Sequence, residues 1–355
     1  MPGLKERTGL LKTAGEWFRS FAGNGRTSNP VEDRVNDKLG QLADKASAEN
    51  PWFTTKNINY AFEAWGEALT PEKITKWADM YKISGGFNRK FSKLGLVTAG
   101  NIPMVGMHDL LCILLTGTNS IVRLSSNDKI LLPGIFGLME EEYPEIKGLV
   151  EFTEGRLEGF DAAIATGSDN TARYFEYYFG KYPNIIRKNR NGVAVLTGAE
   201  SGEDLRGLAG DMLKYFGLGC RNVSKLFVPE GYDFSPLLRI TENYPDLPEH
   251  SKYRNNYDYQ RSIFLINNIK HLDSGNLLLT ENKSLSSPVS VAYFENYTSI
   301  DEVSDILQSL SDNIQCVVSD VTMVKGAIPF GKTQKPELWD YADNMDVVLF
   351  LTGEG

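Results

Sequence analysis

The pattern of hydrophobic and polar positions changes texture once along the chain. Over the first ninety residues, apolar side chains recur at helical spacing in a polar background. This predicts amphipathic helices packed through Trp17, Phe18 and Phe21. Thr70-Pro71-Glu72-Lys73 predicts a helix start, with threonine as N-cap and proline at the first helical position. From Leu94 the apolar residues gather into short runs. Those at 94–98, 120–124, 162–166 and 193–196 predict buried strands, and the segments 104–116, 128–142 and 170–179 predict helices. Strand alternating with helix specifies an α/β fold with a parallel, doubly wound sheet. A second α/β unit is expected after residue 197. It contains a helix over 203–215, a Gly-Leu-Gly-Cys turn at 217–220, a strand over 225–228, and further elements to about residue 318. The expected division is 1–197 for the helical region and first sheet domain, and 198–327 for the second domain. Segment 328–355 either returns to the first domain or serves an oligomer contact.

Composition narrows the function classes. The 355 residues suffice for roughly two domains. A formal net charge of −9 argues against nucleic acid as the main partner, because phosphate backbones select a clustered basic face. No run of about 18 apolar residues occurs, so no membrane span is expected. The start shows no secretory h-region. Cys112, Cys220 and Cys316 are odd in number and far apart, which favours free thiols in a reducing cytoplasm. The three histidines form no paired ligand spacing with them, so no metal is expected.

Four constellations could carry chemistry. In Thr98-Ala-Gly-Asn-Ile-Pro-Met-Val-Gly106 a strand enters a Gly/Asn/Pro turn and then a helix. The Asn101 amide there can donate to an oxyanion or bond its own backbone. Val122-Arg-Leu-Ser-Ser126 ends a strand in a cation and two hydroxyls, suited to a ribose or its phosphate. The alternative makes Arg123 a surface cation, with Ser125 and Ser126 capping the helix at Asp128. Ala165-Thr-Gly-Ser-Asp-Asn170 presents N–H groups at a helix start, which fits either a cofactor or plain capping by Ser168 or Asp169. Phe216-Gly-Leu-Gly-Cys-Arg-Asn222 places Cys220 after a helix-ending turn rather than on a packed stripe, as a nucleophile requires. Cys112 and Cys316 fit buried structural thiols instead. Tyr253, Tyr257 and Tyr259 read better as a packed helix face than as an acyl tunnel.

In this order and spacing, the four elements resemble the aldehyde dehydrogenase superfamily, and more closely the LuxC type of acyl-CoA reductase. Ala99-Gly-Asn-Ile-Pro-Met-Val-Gly106, Ile121-Val-Arg-Leu-Ser-Ser126, Gly219-Cys-Arg-Asn-Val-Ser-Lys225 and the signature-like Gly331-Lys-Thr-Gln-Lys-Pro-Glu-Leu-Trp339 carry the likeness. It spans residue 93 to the end. The resemblance implies an aldehyde-dehydrogenase-like fold of two doubly wound α/β domains, one for cofactor and one for catalysis, with a helical N-terminal region. Cys220 would be the nucleophile and Asn101 the oxyanion donor. Arg123 and Ser125 would hold the adenosine ribose, with arginine favouring the 2′-phosphate of NADP(H). Thr166, Gly167 and Ser168 would approach the nicotinamide half, with no Gly-x-Gly-x-x-Gly turn involved. A homo-oligomer is compatible, since superfamily members commonly associate.

Two departures shape the expected reaction. Hydrolytic members carry a glutamate base in the stretch that here reads Arg187-Lys-Asn-Arg-Asn-Gly-Val-Ala-Val-Leu196, which has no carboxylate. Without that base a thioester persists for exchange with coenzyme A. The glutamate that usually holds the nicotinamide ribose also has no counterpart at Ser284-Leu-Ser-Ser-Pro-Val289. The implied activity is reduction of an acyl-CoA to the aldehyde with NADPH through a Cys220 thioester. Two alternatives stay open: a non-catalytic acyl- or nucleotide-binding relative, and an NAD-dependent aldehyde dehydrogenase.

Overall fold

A computed structural model describes residues 3–23, 30–81, 88–320, 322 and 324–353. The chain forms two compact units, 1–188 together with 335–355, and 189–334.

The first unit opens with four helices, α1 (Leu4–Ala22), α2 (Pro30–Glu49), α3 (Thr55–Ala68) and α4 (Pro71–Asp79). Trp17 and Phe18 are buried on α1, and the Phe62 ring packs against both Phe18 and Phe21. Thr70 caps α4 by accepting the Lys73 N–H at 3.3 Å, and Pro71 fills the first helical position, as the sequence predicts. Then follow β1 (Leu94–Val97), α5 (Met107–Thr116), β2 (Ser120–Arg123), α6 (Leu131–Glu142), β3 (Val150–Thr153), β4 (Ala162–Thr166), α7 (Asp169–Phe179) and β5 (Asn184–Arg187). The strands make one parallel sheet in the order β3-β2-β1-β4-β5. Leu94, Leu96, Val122, Ala162 and Ile164 are fully buried, as apolar runs covered on both faces should be. The order reverses at β1. The chain leaves β1 for β2 on one side and returns from β3 to β4 on the other, so the carboxyl ends of β1 and β4 flank a topological switch point.

The second unit contains β6 (Asn191–Val195), α8 (Gly202–Leu213), β7 (Val223–Pro229), α9 (Ser235–Glu242), α10 (Ser251–Ile266), β8 (Leu272–Asp273), β9 (Leu278–Glu281), β10 (Val291–Tyr297), α11 (Ile300–Ser309) and β11 (Ile314–Val318). Its six-stranded sheet runs β11-β6-β7-β10-β9-β8, parallel except for the short antiparallel β8–β9 edge. The boundary expected after residue 197 therefore moves. β6 falls before it in sequence, but it pairs with β7 and β11, so the second unit starts at Asn189.

Residues 335–353 pack within the first unit, ending in α12 (Val347–Thr352). The Trp77 indole N–H donates to the Tyr341 hydroxyl at 2.8 Å, and the Tyr81 hydroxyl donates to Asp346 at 2.8 Å. Lys335 pairs with Glu63 and Glu67, and Lys73 with Glu337. The return segment thus closes over the N-terminal helices. The second boundary lies at 334/335 rather than at 327/328, because residues 328–334 stay with the second unit.

Candidate active site

Three of the four constellations lie on the first unit, at the carboxyl edge of its sheet. Val97 at the end of β1 is in register with Arg123 of β2 on one side and with Ala165 of β4 on the other. Asn101, Arg123–Ser125 and Thr166–Ser168 therefore follow three neighbouring strands.

The Asn101 turn is longer than the sequence pattern suggests. α5 begins at Met107 rather than at residue 104, because Met104 adopts a left-handed conformation with φ 61°. A non-glycine residue rarely does so without outside support. That support is Asp128, whose carboxylate accepts the Met104 N–H at 3.2 Å and the Leu131 N–H at 3.3 Å. Asp128 is buried, and burial pushes its pKa up to about 6 despite these hydrogen bonds. Asn101 itself is exposed at the head of the turn.

The alternative in which Ser125 and Ser126 cap a helix at Asp128 is not realised, and α6 starts at Leu131. Asp128 takes the Leu131 N–H, while the Ser125 hydroxyl accepts the Asn127 N–H at 3.2 Å. Gly100 sits so close to Ser125 that a Cβ there would lie 2.6 Å from its hydroxyl oxygen. The two turns are thus packed together. Arg123 is exposed, and its guanidinium has no hydrogen bond or ion pair to the described residues. Ser168 caps α7, its hydroxyl accepting the Thr171 N–H at 3.4 Å. The Gly167 N–H donates to the Arg187 carbonyl at 3.2 Å, which extends the β4–β5 ladder by one bond.

Arg187 has a second task. Its buried guanidinium forms a bidentate pair with Asp109 of α5, at 2.7 and 2.9 Å. Burial works against its charge, but the Asp109 carboxylate outweighs this and holds the pKa up. One residue therefore holds the Thr-Gly-Ser turn through its carbonyl and the helix after the Asn101 turn through its side chain.

Cys220 lies on the second unit, in the turn between α8 and β7, and its side chain is exposed. Cys112 and Cys316 are buried, and burial pushes both thiols up, Cys316 to about 12. The helix expected over 203–215 stops at Leu213. Tyr215, Phe216 and Gly217 are then consecutively left-handed, with φ of 54°, 60° and 74°. Only the glycine does this without strain.

The strained turn is held by Asn222, an unassigned member of the cysteine motif. Its amide N–H groups donate to the carbonyls of Asp211 (2.9 Å), Met212 (3.4 Å) and Lys214 (2.9 Å), and its oxygen accepts the Gly219 N–H at 2.8 Å. These bonds satisfy the end of α8 and shape the loop around Cys220. Asn222→Ala leaves the buried partners unsatisfied and should destabilise the second unit by about 2–3 kcal/mol in a denaturant titration. A loss below about 0.5 kcal/mol would contradict this role.

Neighbouring elements crowd the same loop. A Cβ at Gly192 would sit 2.7 Å from the Asn222 carbonyl oxygen and 2.8 Å from that of Arg221. The Cys316 thiol donates to the Arg221 carbonyl at 3.7 Å. The Asp211 side chain accepts the Gly331 N–H at 2.6 Å and both the N–H and hydroxyl of Thr333. The front of the Gly331–Trp339 signature is thereby tied to the helix that leads to Cys220. Lys225 is fully buried on β7 and pairs with Glu295 at 2.8 Å, with the Asn282 carbonyl as a further acceptor. Its pKa is lowered by burial, against the pull of Glu295. Asp128, Asp211 and Asn222 escape sequence reading because their partners are mostly backbone groups of particular turns, with the Thr333 hydroxyl as a further partner of Asp211. Tyr253 and Tyr257 are packing residues, donating to the Asn276 carbonyl and to Asp273, while Tyr259 is exposed.

No protein-family description and no curated protein sequence matches the chain. Solved structures do match over most of its length. An NAD-dependent aldehyde dehydrogenase from Sinorhizobium meliloti superposes with a TM-score of 0.63 at 12% identity, covering 92% of this chain and 74% of the other. The NAD+ complex of an aldehyde dehydrogenase from Bacillus cereus gives 0.61 at 13% identity, over 90% and 72%. The aldehyde dehydrogenase KauB from Pseudomonas aeruginosa gives 0.62 at 12%, over 91% and 73%. The fold is therefore that of the aldehyde dehydrogenases. At these identities the likeness concerns architecture, and the LuxC-type reading keeps its basis in the motifs.

Proposed function

We propose that this protein is an oxidoreductase that reduces an acyl-CoA to the aldehyde through a thioester on Cys220, with NADPH as reductant. The observation that carries the reading is the exposed Cys220 in a turn built from strained backbone, in a fold shared with aldehyde dehydrogenases. Strain held in place by a dedicated residue such as Asn222 is characteristic of functional loops.

The cofactor edge of the first unit fits a nicotinamide dinucleotide. It is the carboxyl edge of a parallel sheet at its switch point, and an exposed guanidinium stands there uncommitted to the described residues. Arg123 and Ser125 would hold the adenosine ribose and its 2′-phosphate, and Thr166, Gly167 and Ser168 the nicotinamide half. When bound, the reduced nicotinamide supplies the hydride for aldehyde formation. Arg123→Ala should therefore weaken NADPH more than NADH, lowering their kcat/KM ratio about tenfold or more, as expected for loss of a charge-assisted phosphate contact. An unchanged ratio would remove Arg123 from phosphate recognition.

The chain's own residues do the remaining work. The Cys220 thiolate attacks the acyl carbonyl, a C–S bond forms, and the coenzyme A thiolate departs and takes up a proton. In the mechanism that the family resemblance implies, Asn101 would donate its amide N–H to the developing oxyanion, with the Cys220 backbone N–H as a second donor. Asn101→Ala should lower turnover by about 10²–10³, with little change in stability for so exposed a side chain. Normal turnover in that variant would exclude the role. No carboxylate stands in the 187–196 segment to activate water, and Arg187 there is committed to Asp109, so the thioester is left to reductive release.

A second reading is an NAD-dependent aldehyde dehydrogenase, which the names of two structural neighbours favour. The separating experiment pairs the rate of iodoacetamide modification of Cys220 at neutral pH with product analysis on the unmodified protein. Stoichiometric reaction slowed by acyl-CoA, with aldehyde as product, supports the proposal. An inert thiol, or an aldehyde oxidised to the acid without coenzyme A, overturns it.

A further inference from the structure

We propose that a basin on the second unit, between α9, α10 and the turn at 273–275, binds the 3′-phosphorylated adenosine end of coenzyme A. The assignment rests on the acyl-transfer reading above. The basin has a volume of about 510 Å³, and its charged lining is Arg239, Arg254, Arg261, Glu242 and Asp273. Three guanidiniums and two carboxylates line it, and Asp258 pairs with Arg254 from beside the lining, so the basin is rich in arginine N–H donors rather than cationic in sum. One of those carboxylates is already committed. Asp273 accepts the Tyr257 hydroxyl at 2.6 Å, the Gly275 N–H at 2.7 Å and the Arg261 Nε–H at 2.9 Å.

The guanidiniums are held in three different ways. Arg261 is fixed by Asp273 and remains half exposed. Arg254 lies over the Tyr257 ring at 4.6 Å, donates to the Gly275 carbonyl at 3.0 Å and pairs with Asp258 at 3.0 Å. Arg239 is exposed and has no hydrogen bond or ion pair to the described residues. Two pre-oriented forks and one uncommitted fork suit a phosphate dianion, which several arginine N–H groups can engage at once.

The position suits coenzyme A rather than a free anion. The His250 ring, at the start of α10, stacks on Phe216 with centroids 4.0 Å apart, and Phe216 lies four residues before Cys220. At about 1.5 Å of rise per residue, Arg254 and Arg261 stand about 6 and 16 Å beyond His250 along the helix axis. The pantetheine arm is the part of the substrate that would run from Cys220 past this contact and along α10 to the arginines.

The test uses the full chain, acyl-CoA, and the matching acyl-pantetheine, which lacks the phosphates. The expected preference for acyl-CoA in the rate of Cys220 acylation falls at least tenfold in Arg239→Glu and in Arg254→Gln. Adenosine 3′,5′-bisphosphate should bind the wild type in competition with coenzyme A, and Arg239→Glu should weaken it at least tenfold. The 2′,5′ isomer should not respond to that substitution. An unchanged preference in both variants while Cys220 is still acylated overturns the basin assignment alone. Loss of the 2′,5′ isomer together with the 3′,5′ form also overturns it, since the basin would then bind phosphate without regard to coenzyme A. Failure of both thioesters to acylate Cys220 overturns the acyl-transfer reading and the basin with it.

Discussion

Cys220→Ser is expected to abolish the acyl thioester and lower acyl-CoA reduction by about 10⁴-fold or more, as nucleophile deletions do in acyl-transfer enzymes. The hydroxyl is a far weaker nucleophile at neutral pH, and no base in the 187–196 segment is available to activate it. The side chain is exposed, so stability should change by less than about 0.5 kcal/mol. Activity and stability thus separate, which distinguishes a lost nucleophile from a damaged fold. Cys112→Ser and Cys316→Ser should behave in the opposite way, because those thiols are buried and contribute packing. Retained thioester formation in Cys220→Ser would move the chemistry to another residue.

Asp109→Ala is expected to have the largest effect on stability, a loss of about 3–5 kcal/mol, because it leaves the Arg187 guanidinium buried and uncompensated. The damage should not stay local. α5 loses its tie to β5, and the Gly167 turn hangs from the carbonyl of the same Arg187. Removing both charges in Asp109→Leu/Arg187→Met should recover most of the loss, since a buried pair replaced by apolar groups is often neutral. Denaturant unfolding of the single and double variants measures both. A single-variant loss below about 1 kcal/mol, or a double variant as unstable as the single, would show that the pair does not hold these elements together.

The fold was legible where local pattern and tertiary environment agree. β1 and β4 are apolar runs in the middle of a parallel sheet, β2 beside them buries Ile121 and Val122 and runs into Leu124, and such patterns announce themselves. The outer strands β3 and β5 did not, since they are only partly buried and carry charge. In β5 the sequence Asn-Ile-Ile-Arg leads into a basic stretch that reads as loop, and Arg187 is accommodated only by an aspartate 78 positions away in sequence. Boundaries failed for the same reason. The end of α8 at Leu213 depends on Asn222 capturing three carbonyls, and the start of α5 depends on Asp128 holding Met104 left-handed. Periodicity carries no trace of either contact.

The candidate site was legible as motifs and not as a set of supports. Asn101, Arg123, Thr166, Gly167, Ser168 and Cys220 stand at strand or helix ends, where sequence places turn residues in plain view. Ser168 does cap its helix, so the plain capping explanation holds for its hydroxyl, while the adjacent Gly167 N–H is spent on Arg187. The polar residues that hold the turns are buried, and their partners are mostly main-chain groups. Their types, asparagine and aspartate, occur in any loop, and only the fold tells the anchoring ones from the solvated ones.

The central claim is that an acyl group passes from coenzyme A to Cys220. Intact-mass measurement of the protein after incubation with excess acyl-CoA, without nicotinamide, tests it directly, with peptide mapping of the adduct. The account predicts one acyl group per chain, located on Cys220, removed by added coenzyme A and stable to water over the same interval. An unmodified chain, an adduct on another residue, or steady release of the free acid would contradict it.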